Sequence, residues 1–133
     1  MADKTLAIRE AMVVKMKASL ELTGLIPIAS IYGERVPDNR TYPFIRTGDA
    51  SKVAFPLGCG EDGTAYSMTV HGFILGSDSE NGTLVGSAIR DVFDSGALFH
   101  ADGKLAIVWR SGGLNRDPDE PDVWHAYEDF TVV

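Results

Sequence analysis

Ile31–Ile45 reads IYGERVPDNRTYPFI, and the fold follows from whether this stretch is a free loop or a packed one. Pro37 and Pro43 fix their own φ and push the residues before them out of helical conformation. Between them Asp38 and Asn39 can close an Asx-type turn. Ile31, Tyr32, Val36, Tyr42, Phe44 and Ile45 supply apolar anchors on either side of that turn. A structureless loop would not carry so many large apolar groups. The segment is therefore expected to pack down and to fix how a preceding helix sits on a following sheet.

Upstream, the pattern predicts a helix from about Asp3 to Leu22, capped by Asp3 or Thr5. Its apolar stripe reads Leu6, Val13, Met16 and Leu20 with Met12 beside it, interrupted by Arg9, and Glu10 and Lys17 mark the outer face. It lacks the length and sustained heptad of a coiled coil or membrane-surface helix. Thr23-Gly24 ends this helix or breaks it into a short second turn, and Pro27 prevents regrowth.

Downstream, Phe44, Ile45 and Arg46 open a strand that is expected to end at Thr47-Gly48-Asp49. Ser51–Gly63, SKVAFPLGCGEDG, then reads as a mobile loop or a loose hairpin arm. Gly58-Cys59-Gly60 is not a phosphate loop, because no Lys-Ser/Thr follows and Glu61 and Asp62 would repel phosphate. Thr64–Leu75 is the clearest strand. Tyr66, Met68, Val70 and Ile74 take one face, and Ser67, Thr69, His71 and Phe73 the other. Gly72 marks a bulge or a close backbone approach. His71, mid-strand among neutral residues, reads as a hydrogen-bonding sheet residue rather than a catalytic base.

Ser77-Asp78-Ser79-Glu80 caps a second helix over about Ser79–Ser95. Val85, Ala88, Ile89, Val92 and Phe93 form its stripe, and Asp94-Ser95-Gly96 closes it. Ala97-Leu98-Phe99 leads to a turn at Asp102-Gly103. Lys104–Gly112 alternates as a strand, with Leu105, Ile107 and Trp109 on one face. Arg116–Asp122, RDPDEPD, is a solvated acidic connection whose spacing departs from a calcium loop. In the last strand, Val123–Val133, Trp124, Ala126, Phe130 and Val132 oppose His125, Tyr127, Asp129 and Thr131. Glu128 breaks the apolar face, which hints at a sheet edge or a subunit boundary. These pieces predict one α+β domain over residues 1–133. Its mostly antiparallel sheet has about four main strands with two helices packed on one face, plus an irregular arm or hairpin. The crossover helix leaves a mixed sheet open.

Composition narrows function by exclusion. With 133 residues, 44% hydrophobic and 23% charged, the chain suits one soluble domain with a real core. No apolar run approaches the roughly 20 residues a membrane span needs, and MADKTLAIRE lacks the apolar region of a signal peptide. The glycosylation pattern at Asn81-Gly82-Thr83 is then a chance match. Cys59 is the single cysteine; it excludes an intrachain disulfide and reads as an ordinary loop thiol in a reducing cytoplasm. No ligand cluster for a metal and no cofactor motif is found. A net charge of −7 argues against a general nucleic-acid grip, yet suits a surface that DNA slides past.

Four stretches together carry a resemblance: LAIREAMVVKMKA, the IYGERVP…YPFIRTGD junction, MTVHGFIL…LVGSAIRDVFD, and RDPDEPDVWHAYEDFTVV. In order and spacing the chain resembles the small tail-completion proteins of long-tailed phages, also called tail terminators or tail-to-head joining proteins. Prophage remnants and gene transfer agents carry the same component. The resemblance implies a homo-oligomer, a hexameric ring that caps the tail tube protein, ends its polymerisation and meets the head connector or stopper protein. DNA would pass through the lumen without sequence-specific binding and without any membrane. Such a protein would be assembled in the host bacterial cytoplasm and reside at the neck end of the virion tail. The glycine-rich arm and Glu128 depart from the family pattern. Competing readings are a monomeric binding module, or a small hydrolase using His71, His100 or His125, for which no nucleophile stands in a recognisable arrangement.

Irregular surface segments are where docking contacts concentrate. The candidate interface residues are therefore Lys52, Val53, Phe55, Leu57, Glu61 and Asp62 of the arm, and Asp117, Asp119, Glu120 and Asp122 of the acidic turn.

Overall fold

The computed structural model describes residues 3–58, 61–101 and 103–133. Helix α1 (Thr5–Lys17) and the short helix α2 (Leu20–Leu25) lead through a 3-10 turn at Ile28–Ser30 into strand β1 (Ile31–Tyr32). Strands β2 (Phe44–Gly58) and β3 (Glu61–Leu75) follow, then α3 (Glu80–Val92), β4 (Ala97–His100), β5 (Gly103–Arg116) and β6 (Val123–Val132). The six strands form one sheet in the order β1-β2-β3-β6-β5-β4. Only β1 runs parallel to its neighbour. The class is α+β as expected, with six strands rather than about four and three helices rather than two.

The extra elements have local causes. The first helix breaks at Ala18-Ser19, where extended Ser19 accepts the Leu22 N–H through its side chain and restarts the chain as α2. Asp3 takes the capping role at the start, accepting from the N–H and Oγ1 of Thr5. Thr47-Gly48-Asp49 does not end β2. It is a bulge, with Asp49 at φ 51, after which pairing with β3 resumes at Ala50 and Met68. Ser51–Gly58 is thus regular strand, so the hairpin alternative holds and the irregular loop does not. Ala97–His100 is a strand of its own, paired with Gly103–Ala106. Cys59, Gly60 and Asp102, on which two of the expected turns fall, lie outside the described residues.

Cross-strand register gives the sheet two unlike faces. Tyr66, Met68, Val70, Gly72 and Ile74 stand opposite Val132, Phe130, Glu128, Ala126 and Trp124, and the helices cover this side. Both sheet edges reach α1, through β4 on one side and β1 and β2 on the other, so the sheet curls around the helical layer. The core gathers Met68, Val70, Val85, Ile89, Ile107 and Phe130 with Ile8, Met12 and Met16 of α1 and Leu22 of α2.

The buried stripe of α1 is Ile8, Ala11, Met12 and Met16, not the expected Leu6, Val13, Met16 and Leu20. Leu6 is 75% exposed and Leu20 91%. Arg9 lies on the packed side as well: its stem lies against the fold and its guanidinium meets Glu34 at 3.6 Å, so a charged residue takes a place that an apolar-stripe reading gives to the outside. Ile31–Ile45 is pinned as expected at its ends: Ile31, Phe44 and Ile45 are buried. Its middle turn closes through Arg40 N–H to the Pro37 carbonyl, while residues 37–41 stay exposed.

Two truncations separate these stripes. Ile8→Ala should cost about 2–5 kcal/mol in denaturant unfolding, as for other buried aliphatic truncations. Leu6→Ala should fall within about 0.5 kcal/mol of the unsubstituted chain. Equal losses at the two positions would restore the stripe expected from sequence.

Candidate assembly surfaces

The two candidate loops sit at opposite ends of one strand. β3 pairs with β6 from Tyr66 to Leu75, whereas Val53–Pro56 and Gly58 pair with Glu61–Ala65 and nothing else. Beyond Tyr66 the β2–β3 hairpin is therefore a two-stranded arm, reaching roughly 15–20 Å past the end of β6, at the same end of the sheet as the β4–β5 hairpin. Lys52 at its base is hydrogen-bonded to Asp3, and this contact raises the Lys52 pKa. Val53 is 64% exposed. For Phe55, Leu57, Glu61 and Asp62 the backbone pairing places them in the arm; Leu57 lies at the register shift between Pro56 and Gly58.

The acidic turn joins β5 to β6 at the other end, next to Leu75. Asp117 Oδ1 accepts from the Asp119 N–H, and the Asp117 N–H reaches the Val123 carbonyl. The Asp122 carbonyl accepts from the Gly76 N–H, while Trp124 Nε1 donates to the Gly76 carbonyl. Tyr42 donates its hydroxyl to Glu120 Oε2 at 3.3 Å. Burial, and then the Glu120 charge, raise the Tyr42 pKa. Val36, Arg40, Phe44 and Phe73 complete a hollow with Asp117 and Glu120. Sequence reasoning thus placed both loops on the surface, but the structure keeps them apart by the full paired length of β3.

Between them lies the sheet face that no helix covers. Phe44 stacks on Phe73 and Phe73 on His125, with ring centroids 4.9 and 4.7 Å apart. His71 Nε2 lies 2.7 Å from Asp49 Oδ2, and His71 Nδ1 lies 2.7 Å from His125 Nε2. Burial, more than any charge, holds both imidazoles below their ordinary pKa. A neutral His71 that donates Nε2–H to Asp49 must accept at Nδ1, which makes His125 Nε2 the donor. Burial pushes the Asp49 pKa up, but the hydrogen bond and charge of His71, with Arg46 beside it, leave it lowered. Asp129 joins Thr69 Oγ1 at 2.6 Å and Ser111 Oγ at 3.0 Å. His71 is therefore a hydrogen-bonding sheet residue, as expected. Among the described residues no group of three His, Cys, Asp or Glu could hold a metal ion.

Glu128 is the functional candidate that sequence reasoning located only as a break in pattern. β6 is flanked by β3 and β5, so Glu128 is not at a sheet edge. It is 8% exposed on the helix-covered face, and its carboxylate lies over Gly112, where a Cβ would fall 1.5 Å from Oε2. Oε2 has no hydrogen-bond partner, and neither does Trp109 Nε1 nearby. Arg90 does not pair with it, because its guanidinium stacks 3.8 Å above the Trp109 ring. Burial raises the Glu128 pKa to about 7, against the pull of Trp109 and Arg90 and with a small push from Asp129.

The sign of the pH effect follows. Folded Glu128 keeps its proton up to about pH 7, whereas its ordinary value is 4.5. Rising pH across that window withdraws stability, on the order of 3 kcal/mol by pH 8. The depressed histidines act oppositely, since stability falls as pH drops below 6.5 and the unfolded rings gain protons. Glu128→Gln should therefore unfold later than the unsubstituted chain at pH 8, with the difference closing near pH 5. Denaturant midpoints that differ by the same amount at both pH values would contradict this account.

Comparison with known proteins gives this geometry a setting. A chain in the virion of a native gene transfer agent (GTA) particle shares the fold, with a TM-score of 0.84 at 14% identity over 99% of this chain and 97% of that one. No curated protein matches the sequence. The family model described as "Tail completion protein gp17" matches residues 10–133, nearly the whole length. The chain belongs to the tail completion protein gp17 family and has a structural role in a phage-like tail.

Proposed function

We propose that this chain forms a hexameric ring that caps a finished tail tube, stops its polymerisation and joins it to the head connector or stopper protein. One observation carries the reading furthest: the two surface loops stand at opposite ends of β3. A protein that joins two bodies in line needs two docking ends, and the strand direction then runs along the ring axis. The arm serves one partner and the acidic turn serves the other. A ring is also how a head-to-tail contact between identical subunits closes instead of growing into a filament.

Charge fits the passage of DNA. With a net charge of −7, the ring does not supply the counterion-releasing grip that nucleic-acid binders use. Like charge along a lumen keeps the duplex from sticking. The chain's work is mechanical and interfacial, at the neck end of the tail, and calls for no cofactor.

Two variants separate the ends. Deleting Val53–Gly60 removes the distal arm, whose described backbone pairs only within itself. Replacing Asp117, Asp119 and Asp122 by Asn and Glu120 by Gln neutralises the other end. Both should keep the circular dichroism of the full chain, and each should lose one partner, tube or connector, in co-sedimentation and negative-stain images. If either variant loses both partners while folded, or neither partner, the two-ended reading fails.

A further inference from the structure

Glu128 opens onto a groove that the ring reading has not used. β4 covers β5 only as far as Ala106, so Val108–Arg116 forms an edge with β6 on its single paired side. Between this edge and α3 lies a groove of about 300 Å³ lined by Gly82, Gly86, Ser87, Arg90, Leu114 and Glu128. Its walls are built close. A Cβ at Gly82 would meet Leu114 Cδ1 at 2.7 Å, and one at Gly86 would sit 3.7 Å from Glu128 Oε1. The groove thus holds a carboxylate that is more than nine-tenths buried, whose Oε2 has no hydrogen-bond partner, and beside which the Arg90 guanidinium stacks on Trp109 instead.

A buried acid in that state favours an incoming donor with positive charge. The cross-sheet register indicates where a second copy would present one. Thr47 pairs with Val70, Val70 with Glu128 and Glu128 with Gly112, so these residues share one level along the strands. The Gly33 carbonyl accepts from the Thr47 N–H at that same level. Two residues on, Arg35 is exposed. Among the described residues it makes no hydrogen bond or ion pair, while its neighbour Glu34 is taken by Arg9. Arg35 flanks β1, at the opposite side of the sheet from the free edge of β5. Three strand spacings, roughly 14 Å, separate β1 from the β6 strand that carries Glu128 of its own chain.

We propose that this groove receives Arg35 of a neighbouring copy, whose guanidinium pairs with Glu128 and locks one subunit onto the next. The proposal rests on the ring reading: rotation about an axis along the strands brings the β1 side of one subunit to the β5 side of the next at constant height. Ser87 and Thr83 at the groove wall offer hydroxyls to the remaining guanidinium N–H groups.

Association of the full chain, followed by analytical ultracentrifugation with circular dichroism as a fold control, tests it. Arg35→Ala and Glu128→Gln should each stay folded and weaken assembly at least tenfold, and the double variant should be no weaker than the worse single. Independent losses that multiply in the double variant would overturn the pairing, as would normal assembly of either single variant. A second test uses Cys59→Ser as background. Arg35→Cys with Ser87→Cys, bridged by a short bismaleimide, should give a ladder of covalent multimers up to the closed ring. A ladder absent from assembled rings would also overturn the pairing. If the unsubstituted chain stays monomeric at every concentration and on tail tubes, the ring reading itself falls and takes this contact with it. Rings that form equally well without Arg35 or Glu128 remove only the contact.

Discussion

The close approach of α3 to the middle of the sheet sets the terms for everything else in the molecule. Gly72 of β3 lies beneath Val85 and Ile89, and a Cβ there would stand 3.1 Å from Val85 Cγ1. Gly82 does the same from the helix side against Leu114 and Trp124. With nothing on these residues to hold the layers apart, Val85, Ala88 and Ile89 sink into the pleat of β3 and β6 and are buried. Apolar area removed from water is the main stabilising term in a domain of this size. The same approach fixes the unlike faces of the sheet, because a register slip by one residue would exchange them.

One consequence is a conflict that the fold does not resolve internally. Register places residue 128 on the covered face, in the row of Thr47, Val70 and Gly112. An apolar residue would satisfy that row; the chain has a glutamate. Gly112 makes room for it, so the side chain is accommodated sterically and left deprived electrostatically. A buried carboxylate whose partner is missing costs several kcal/mol if ionised, and its pKa rises instead. The isolated chain therefore carries a local destabilisation that an arriving cation would relieve, which is how a monomer can be made to favour its assembled state.

Much of this was legible in the sequence, and the failures have physical reasons. Thr64–Leu75 and the α3 segment were recognised because alternation and a 3.6-residue period run through most of each, although β3 begins at Glu61 and α3 ends at Val92 rather than Ser95. On α1 two stripes overlap: Leu6 and Leu20 are as apolar as Ile8 and Met12, and the choice between them is made by the core that Ile8, Met12 and Met16 enter with residues of the sheet and α3 far along the chain. Ser51–Gly58 looked irregular because of Pro56, Gly58 and the glycines that follow. Its order comes from the partner strand, and Pro is tolerated where β2 is an edge. β4 is four residues long, too short for any period to register. Of the candidate sites, the arm and the acidic turn were visible as composition. The Glu128 groove was not, since it needs Gly82, Gly86 and Gly112 brought together by topology.

The topology also explains how one small domain can present several chemically distinct surfaces. Antiparallel strands put their connections at the two ends of the sheet, so the hairpin arm and the β5–β6 turn necessarily point opposite ways. Strand order puts β1 and the free stretch of β5 at the two sides. The helices occupy one face, and the other carries the Asp49, His71 and His125 chain of hydrogen bonds and its stacked rings. Ends, sides and faces are thus chemically distinct: a paired arm against an acidic turn, an arginine against a recessed carboxylate, an apolar core against a polar aromatic sheet. A rigid sheet with such distinctions can specify axial and lateral neighbours at once, because bringing the wrong surfaces together would desolvate charges that find no partner.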